Sequence, residues 1–361
     1  MQKLVRYLFL KPILWLVDKF SSSPDRERIY EALTKLKERL QTDPGKKGFV
    51  IPLDIDTGRF ILFSDQHKGA KNGADDFLLA EPNYLAALDY YNELGFHLIC
   101  LGDSEELWKN TLQQVKKQNL RSFEAEKKFA LRNSFTKIFG NHDLDWEINP
   151  LAGKDLEELY EAPVAVLEGV ILQSNIEKQE FSIFCTHGHQ GDAQSDGNFF
   201  SKFFVSKIWA PLQAYLRLNP NTPAYNATLK TEHNNIMYEW SSGQKNLFLI
   251  TGHTHQPVFE SLTHLERLQR KEAMGREEKH DASTTGQNYN GETNVLTSEF
   301  FSKIKPSYFN TGCCCYDDGD ITGIEIMNGS ICLIKWEEKD GSPFRTELEK
   351  KSIQELAKQL N

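Results

Sequence analysis

The 361-residue chain has no CxxC pair among its six cysteines, no uninterrupted apolar run of about 18 residues and no excess of positive charge. Each absence removes a class of protein. Cys100, Cys185, Cys313, Cys314, Cys315 and Cys332 lie in or beside apolar, strand-like runs. They read as reduced core residues of a cytoplasmic protein, not as a disulfide framework or a cysteine-rich zinc site. With 42 Lys and Arg against 51 Asp and Glu, the formal charge is −9, which disfavours the broad basic face that nucleic acid requires. A P-loop, G-x-S-x-G, HExxH and GxGxxG are all missing.

The first twenty residues, MQKLVRYLFLKPILWLVDKF, are apolar and basic together, but Lys11 and Pro12 interrupt them and no A-x-A site follows in FSSSPDRER. Neither a transmembrane helix nor a secretory signal is expected. What remains is an amphipathic helix with two open readings: it lies on a membrane surface, or it packs on its own domain.

Hydrophobic residues make up 39% and charged residues 26%, enough for a sizeable core in one large domain. Residues 1–50 read as an amphipathic or helical extension, 51–345 as the main domain with insertions at 197–220 and 262–305, and 346–361 as a C-terminal helix. RFILFSD (59–65), FHLICLGD (96–103) and FTKIFGNHD alternate with helical stretches such as ALDYYNELG, implying an α/β sheet with helices on its faces. After Ala162 the chain turns to short β-branched and aromatic runs: VAVLEGVILQ, EFSIFCTHG, NLFLITGHTH, YFNTGCCCY, ITGIEIM and ICLIKWEE. The segment 197–220 is aromatic and basic, while 264–294 is polar and turn-rich and reads as an exposed, partly disordered insertion.

Five apolar runs end in metal-binding side chains: Asp65 and His67; Asp103; Asn141, His142 and Asp143; His187; and His253 and His255. In an open α/β sheet the ligand site lies beyond the carboxyl ends of the strands, so these tips are expected to converge. Carboxylates, imidazoles and an amide without thiolate suit manganese first, with iron or zinc as alternatives, better than calcium. Seven ligand groups exceed one tetrahedral ion, whereas two ions sharing a bridging carboxylate use them all. Two metals about 3.5–4 Å apart can activate a water and neutralise a phosphoryl group.

The series D-x-H (65–67), GD (102–103), GNHD (140–143), THGH (186–189), GHTH (252–255) and FNTG (309–312) resembles the calcineurin-like metallophosphoesterases in order and spacing. The resemblance implies a four-layer α/β/β/α sandwich of two mixed sheets and a hydrolase acting on a phosphate ester or pyrophosphate through a metal-bridging hydroxide. It places Asp65, His67 and His255 on one metal, Asn141, His187 and His253 on the other, and Asp103 between them. His142 becomes the residue beside the leaving group, with Asp143 orienting it.

Some positions depart from the family. Glu106 in GDSEELW stands where a second Asp often lies, a variant similar to the branch that cleaves UDP-2,3-diacylglucosamine. That branch has Arg after GN and usually HGD in place of HGH. Glu106, His189 and Asp192 are therefore candidates for substrate contact, with support of His187 the alternative for the last two. In that branch an apolar lid follows HGD; here Phe199, Phe200, Phe203, Phe204 and Trp209 with Lys202, Lys207 and Arg217 are its counterpart or ordinary core. Two other readings are a non-catalytic scaffold on the same fold, and a β-lactamase-like hydrolase. HGHQGD fails the second because no H-x-H-x-D-H is present.

Overall fold

Alternate residues of the short apolar runs face two different cores. On β2 (Arg59–Phe63) Phe60 and Leu62 belong to one apolar cluster and Ile61 and Phe63 to another. On β3 (His97–Leu101) Ile99 and Leu101 join the first, Leu98 and Cys100 the second. Such strands carry no polar face, which is why they read as unbroken apolar runs. On β8 (Leu247–Thr251) Phe248 and Ile250 fall in that same first cluster, whereas Leu247 and Leu249 fall in a third.

The computed structural model describes residues 24–72, 75–191, 227–281 and 301–360. Among them are two seven-stranded mixed sheets. One runs β14-β13-β12-β2-β3-β4-β5, with β4 at Phe135–Ile138, β5 at Val166–Leu167, β12 at Ile321–Met327, β13 at Ser330–Lys339 and β14 at Ser342–Ser352. The other runs β1-β6-β7-β8-β11-β9-β10, with β1 at Gly48–Pro52, β6 at Gly169–Ile176, β7 at Gln179–Thr186, β9 at Val258–Phe259, β10 at Leu262–Thr263 and β11 at Tyr308–Asn310. The first apolar cluster is shared by strands of both sheets, and the other two lie on their remaining faces. Parallel register pairs Phe63 with Cys100 and Leu101 with Ile138. The ends of β2, β3 and β4 therefore lie side by side, and the loops leaving them carry Asp65, Asp103 and Asn141. In the other sheet Cys185 pairs with Ile250 in the same sense, setting the ends of β7 and β8 side by side. The mixed α/β architecture matches the expected class.

Several boundaries differ from the sequence reading. The helix Arg26–Thr42 is no extension: Ile29, Leu33, Leu36 and Leu40 repeat at helical spacing and are buried with Phe184 and Trp240. Its first turn is capped by Asp25, whose side chain accepts the Arg28 N–H at 3.1 Å. Beyond it, Gly48–Pro52 pairs in parallel with β6. VAVLEGVILQ is two strands, not one, because the chain passes from one sheet to the other at Glu168. The polar stretch after Thr263 forms a helix, His264–Asp281, in which the buried Arg267 donates to Leu262 O at 2.7 Å and meets Glu349 at 3.3 Å. The C-terminal helix is confined to Ile353–Lys358, since Ser342–Ser352 pairs antiparallel with β13 instead. Residues 1–20 and 197–220 lie outside the described residues. Among the described residues no helix is long and apolar enough to cross a membrane.

Candidate metal centre

The loops after β2 and β3 continue the strand pairing beyond the strands themselves. The Asp65 N–H donates to Gly102 O at 3.0 Å, His67 N–H to Asp103 O at 2.9 Å and Lys68 N–H to Ser104 O at 3.0 Å. The backbone turns sharply to do so. Asp65, His67 and Asp103 have φ of 53°, 51° and 51°, and on the facing sheet His253 and His255 have 69° and 55°. Left-handed conformations at non-glycine residues cost about 1–3 kcal/mol each and collect where a side chain must be aimed. Five of the seven candidate ligands are held this way.

Close approach also needs glycine. A Cβ on Gly140 would run into Asp103 Oδ1 and the His187 ring, and one on Gly252 into Ser64 and Asp65. Gly102, at φ +90°, lies against the His187 ring in the same way. The two sheets are tied across the site by the His253 N–H donating to Asp65 Oδ2 at 3.0 Å and by Ser64 Oγ to Thr311 Oγ1 at 2.7 Å.

Six of the seven candidate ligands, all but Asn141, are seen to converge. His255 Nε2 is 3.2 Å from both His67 Nε2 and Asp65 Oδ1, and His67 Nε2 is 3.8 Å from Asp103 Oδ2. On the other side of Asp103, His187 Nε2 is 3.2 Å from the same Oδ2, and Asp103, His187 and His253 together form a group able to hold a metal ion. His187 Nδ1 donates to Leu101 O at 2.9 Å, which turns the Nε2 lone pair toward the Asp103 carboxylate. At that distance either a proton on Nε2 or a cation between the two atoms satisfies both. Burial lowers the His187 imidazole, but Asp103 and Asp65 overcome it and raise it to about 9. Likewise burial raises Asp103, yet His187 and His142 hold it well below the usual carboxylate range.

The buried atoms Asp65 Oδ1, Asn141 Oδ1, His187 Nε2 and His253 Nε2 have no hydrogen-bond partner. Buried polar atoms are rarely left so, and four of them around one carboxylate fit divalent cations.

The His142 ring stands beside the cluster, its centroid 4.6 Å from that of His67. Its backbone N–H donates to Asp103 Oδ1 at 2.7 Å. Its Nδ1 lies 3.1 and 3.0 Å from the two Glu106 oxygens, and its face stacks on Trp108 at 4.1 Å and 18°. The expected role of one acid changes here. Asp143 does not touch the His142 ring: it accepts Gly140 N–H at 2.6 Å and Ser104 N–H at 2.8 Å, bracing the two loops. Glu106, a candidate for substrate contact, holds His142 Nδ1 and lies 3.3 Å from Lys109 Nζ. Its burial raises it, and His142 and Lys109 bring it well below its ordinary value. His189 is buried with its ring 5.3 Å from His187 and 5.8 Å from Phe139, the supporting position. Asp192 lies outside the described residues.

Two neighbours had not been anticipated. His233, on the helix Ala227–Ser242, donates from Nε2 to Gly188 O at 2.8 Å with its ring 5.1 Å from His253. Cys315 Sγ is 3.8 Å from His255 Nδ1. All six cysteines are buried and free of disulfides.

No family model and no curated protein matches the chain. Among solved structures it is similar to vacuolar protein sorting 29 from Cryptosporidium parvum, with 13% identity over 82% of this chain and 98% of that one at a TM-score of 0.31. Zinc-complexed Vps29 from Entamoeba histolytica shows 13% identity over 82% and 99%, TM-score 0.27. A dimetal phosphatase from Danio rerio shows 8% over 81% and 100%, TM-score 0.38. Likeness at this level carries no argument about activity, which must come from the site.

Proposed function

We propose that the chain is a dinuclear metallophosphoesterase of the calcineurin-like kind, a four-layer sandwich whose two sheets share the central apolar cluster. The observation that carries this reading is the placement of one buried carboxylate, Asp103, between His67 on one side and His187 and His253 on the other. Asp65, His67 and His255 would hold one ion and Asn141, His187 and His253 the other, with Asp103 shared between them. Manganese fits the oxygen-and-nitrogen donor set, with iron and zinc as alternatives. When bound, such a pair supplies an activated water and neutralises charge on a phosphoryl group.

The protein's own groups do the rest. Glu106 accepts the Nδ1 proton of His142 and fixes its tautomer, so Nε2 is the nitrogen that exchanges a proton with the leaving group. The stacked Trp108 indole blocks rotation of that ring. Asp143 and the glycines at 102, 140 and 252 set the loops at the spacing the ligands need.

Phosphorus-31 NMR tests the reading directly. The manganese-loaded protein is incubated with a phosphomonoester, cyclic and linear nucleotide diesters, and UDP-2,3-diacylglucosamine. Turnover of any of them, abolished by chelation, supports a phosphoesterase, and preference for the lipid-linked pyrophosphate identifies the narrower substrate. Two bound metals with no turnover across the panel turns the reading toward a scaffold.

A further inference from the structure

Four charged side chains lie fully buried beneath the metal-binding loops: Lys68, Glu105, Lys137 and Glu126. Lys68 Nζ is 2.6 Å from Glu126 and 3.2 Å from Glu105, and Lys137 Nζ donates to both Glu105 oxygens at 3.0 and 2.8 Å. Every carboxylate has further donors. Trp146 Nε1 donates to Glu105 at 2.7 Å, and the hydroxyls of Tyr84 and Tyr160 donate to Glu126 at 2.9 and 2.7 Å. Lys68 also sits over the Phe123 ring at 4.5 Å. The quartet is neutral in sum and fully buried, and each member is hydrogen-bonded or ion-paired to another.

Removing four charges from water is a poor way to stabilise a core, because apolar side chains of similar volume commonly do as well. Their attachment points suggest another purpose. Lys68 directly follows His67, Glu105 lies two residues after Asp103, and Lys137 is on the strand that leads to Asn141. The backbone is locked at the same level: Lys68 pairs with Glu105 in a parallel bridge, and the Glu106 N–H donates to Lys68 O at 3.1 Å. Glu105 thus stands between two lysines as Asp103 stands between the two ligand groups.

We infer that Lys68, Glu105, Lys137 and Glu126 are positioning residues, an ionic lock that sets the distance between the two halves of the metal centre before any metal binds. The inference rests on the dinuclear reading for its consequence, the metal spacing, but not for the preorganisation of the loops. The loops after β2 and β3 keep their geometry without metal because the lock holds them from below. Neutralising it lets the two halves drift while the fold survives.

Two experiments decide the matter. In the first, hydrogen–deuterium exchange of the wild-type protein is compared with manganese bound and after chelation. Equal protection of residues 64–68 and 102–107 in both states is expected; loss of that protection on chelation would mean that the metals hold the loops and would overturn the inference. In the second, the charge-neutral variant Lys137→Met/Glu105→Gln is loaded with manganese and examined by paramagnetic resonance and metal titration. It should fold, bind its second metal at least tenfold more weakly and lose the spin-coupled signal of a close pair. A neutral variant of the remote ion pair Arg345→Met/Glu325→Gln should change neither. Unchanged affinity and coupling in the first variant, or equal loss in both, overturns the inference by reducing the quartet to ordinary structure. Failure of the wild-type protein to bind two metals would instead remove the dinuclear reading; the lock is then decided by exchange in the metal-free proteins, where equal protection of residues 64–68 and 102–107 in the wild type and in Lys137→Met/Glu105→Gln overturns it.

Discussion

Glu106→Gln separates the charge of this side chain from its shape. The carboxylate is 4% exposed, touches His142 Nδ1 through both oxygens, and has Lys109 3.3 Å away and His67 Nδ1 at 3.5 Å. Glutamine fills the same volume and still accepts the Nδ1 proton through its carbonyl, so the stack of His142 on Trp108 should survive. What disappears is the negative charge facing His142 Nδ1. A charge-assisted hydrogen bond is worth about 1.5–3 kcal/mol. The neutral bond that glutamine keeps is worth about 0.5–1.5 kcal/mol, so about 1–1.5 kcal/mol is lost; if all of it appears as His142 gives or takes a proton, kcat falls about 5- to 12-fold at roughly 1.4 kcal/mol per decade. KM and metal content should barely change, because Glu106 reaches His67 only at Nδ1, 3.5 Å away and on the far side of the ring from the metal-facing Nε2. The assay is steady-state turnover of the best substrate from the NMR panel, with metal counted on the same sample. A kcat within threefold of wild type would show that the pair has no part in proton transfer. Loss of a metal with unchanged kcat per metal pair would show that Glu106 serves His67 instead.

Three further substitutions probe the rest of the site. Asp103→Ala should remove both metals, since its carboxylate faces both ligand groups; retention of two metals per chain by elemental analysis refutes the bridging role. His142→Ala should keep both metals and lower kcat by about 10²–10⁴, the usual contribution of a general acid; loss of metal instead would make His142 a ligand. Gly102→Ala places a side chain at φ +90° against the His187 ring. It should cost about 1–3 kcal/mol of stability from backbone strain and weaken metal binding further, read as a lower thermal midpoint and a weaker manganese titration; a wild-type midpoint would refute the close-approach argument.

The strands that carry the site were legible because their chemistry repeats. RFILF, HLICL and LFLIT are buried on both faces, and each is followed by ligand-bearing polar residues that an ordinary strand end does not need. Elements stabilised from a distance were hidden. TELEKK at 346–351 has the composition of an exposed helix, yet its residues pair with β13, and that pairing overrides local preference. The helix after Thr263 looked too polar to fold because its anchor is a buried arginine rather than an apolar face. Residues 48–52 were split between the extension and the main domain because their partner, β6, lies more than a hundred residues away.

The site divides in the same way between features set by a motif and features set by contact. The positions of Asp65, His67, Asp103, His187, His253 and His255 at strand ends foretold their convergence. The family resemblance made Asp143 the partner of His142, whereas the side chain at its Nδ1 is that of Glu106. A signal for the ionic lock was nevertheless present. FTKIF places a lysine within an apolar strand, and DQHKG places another directly after a candidate ligand. A lysine in such a position must be either exposed by an irregular backbone or neutralised by an equally buried acid. Lys137 is fully buried on a regular strand, so the acid is obligatory, and the chain supplies it from the loop that carries Asp103. A lone charge in a buried strand is therefore a pointer to its partner's loop, and here that loop is the one on which both halves of the centre depend.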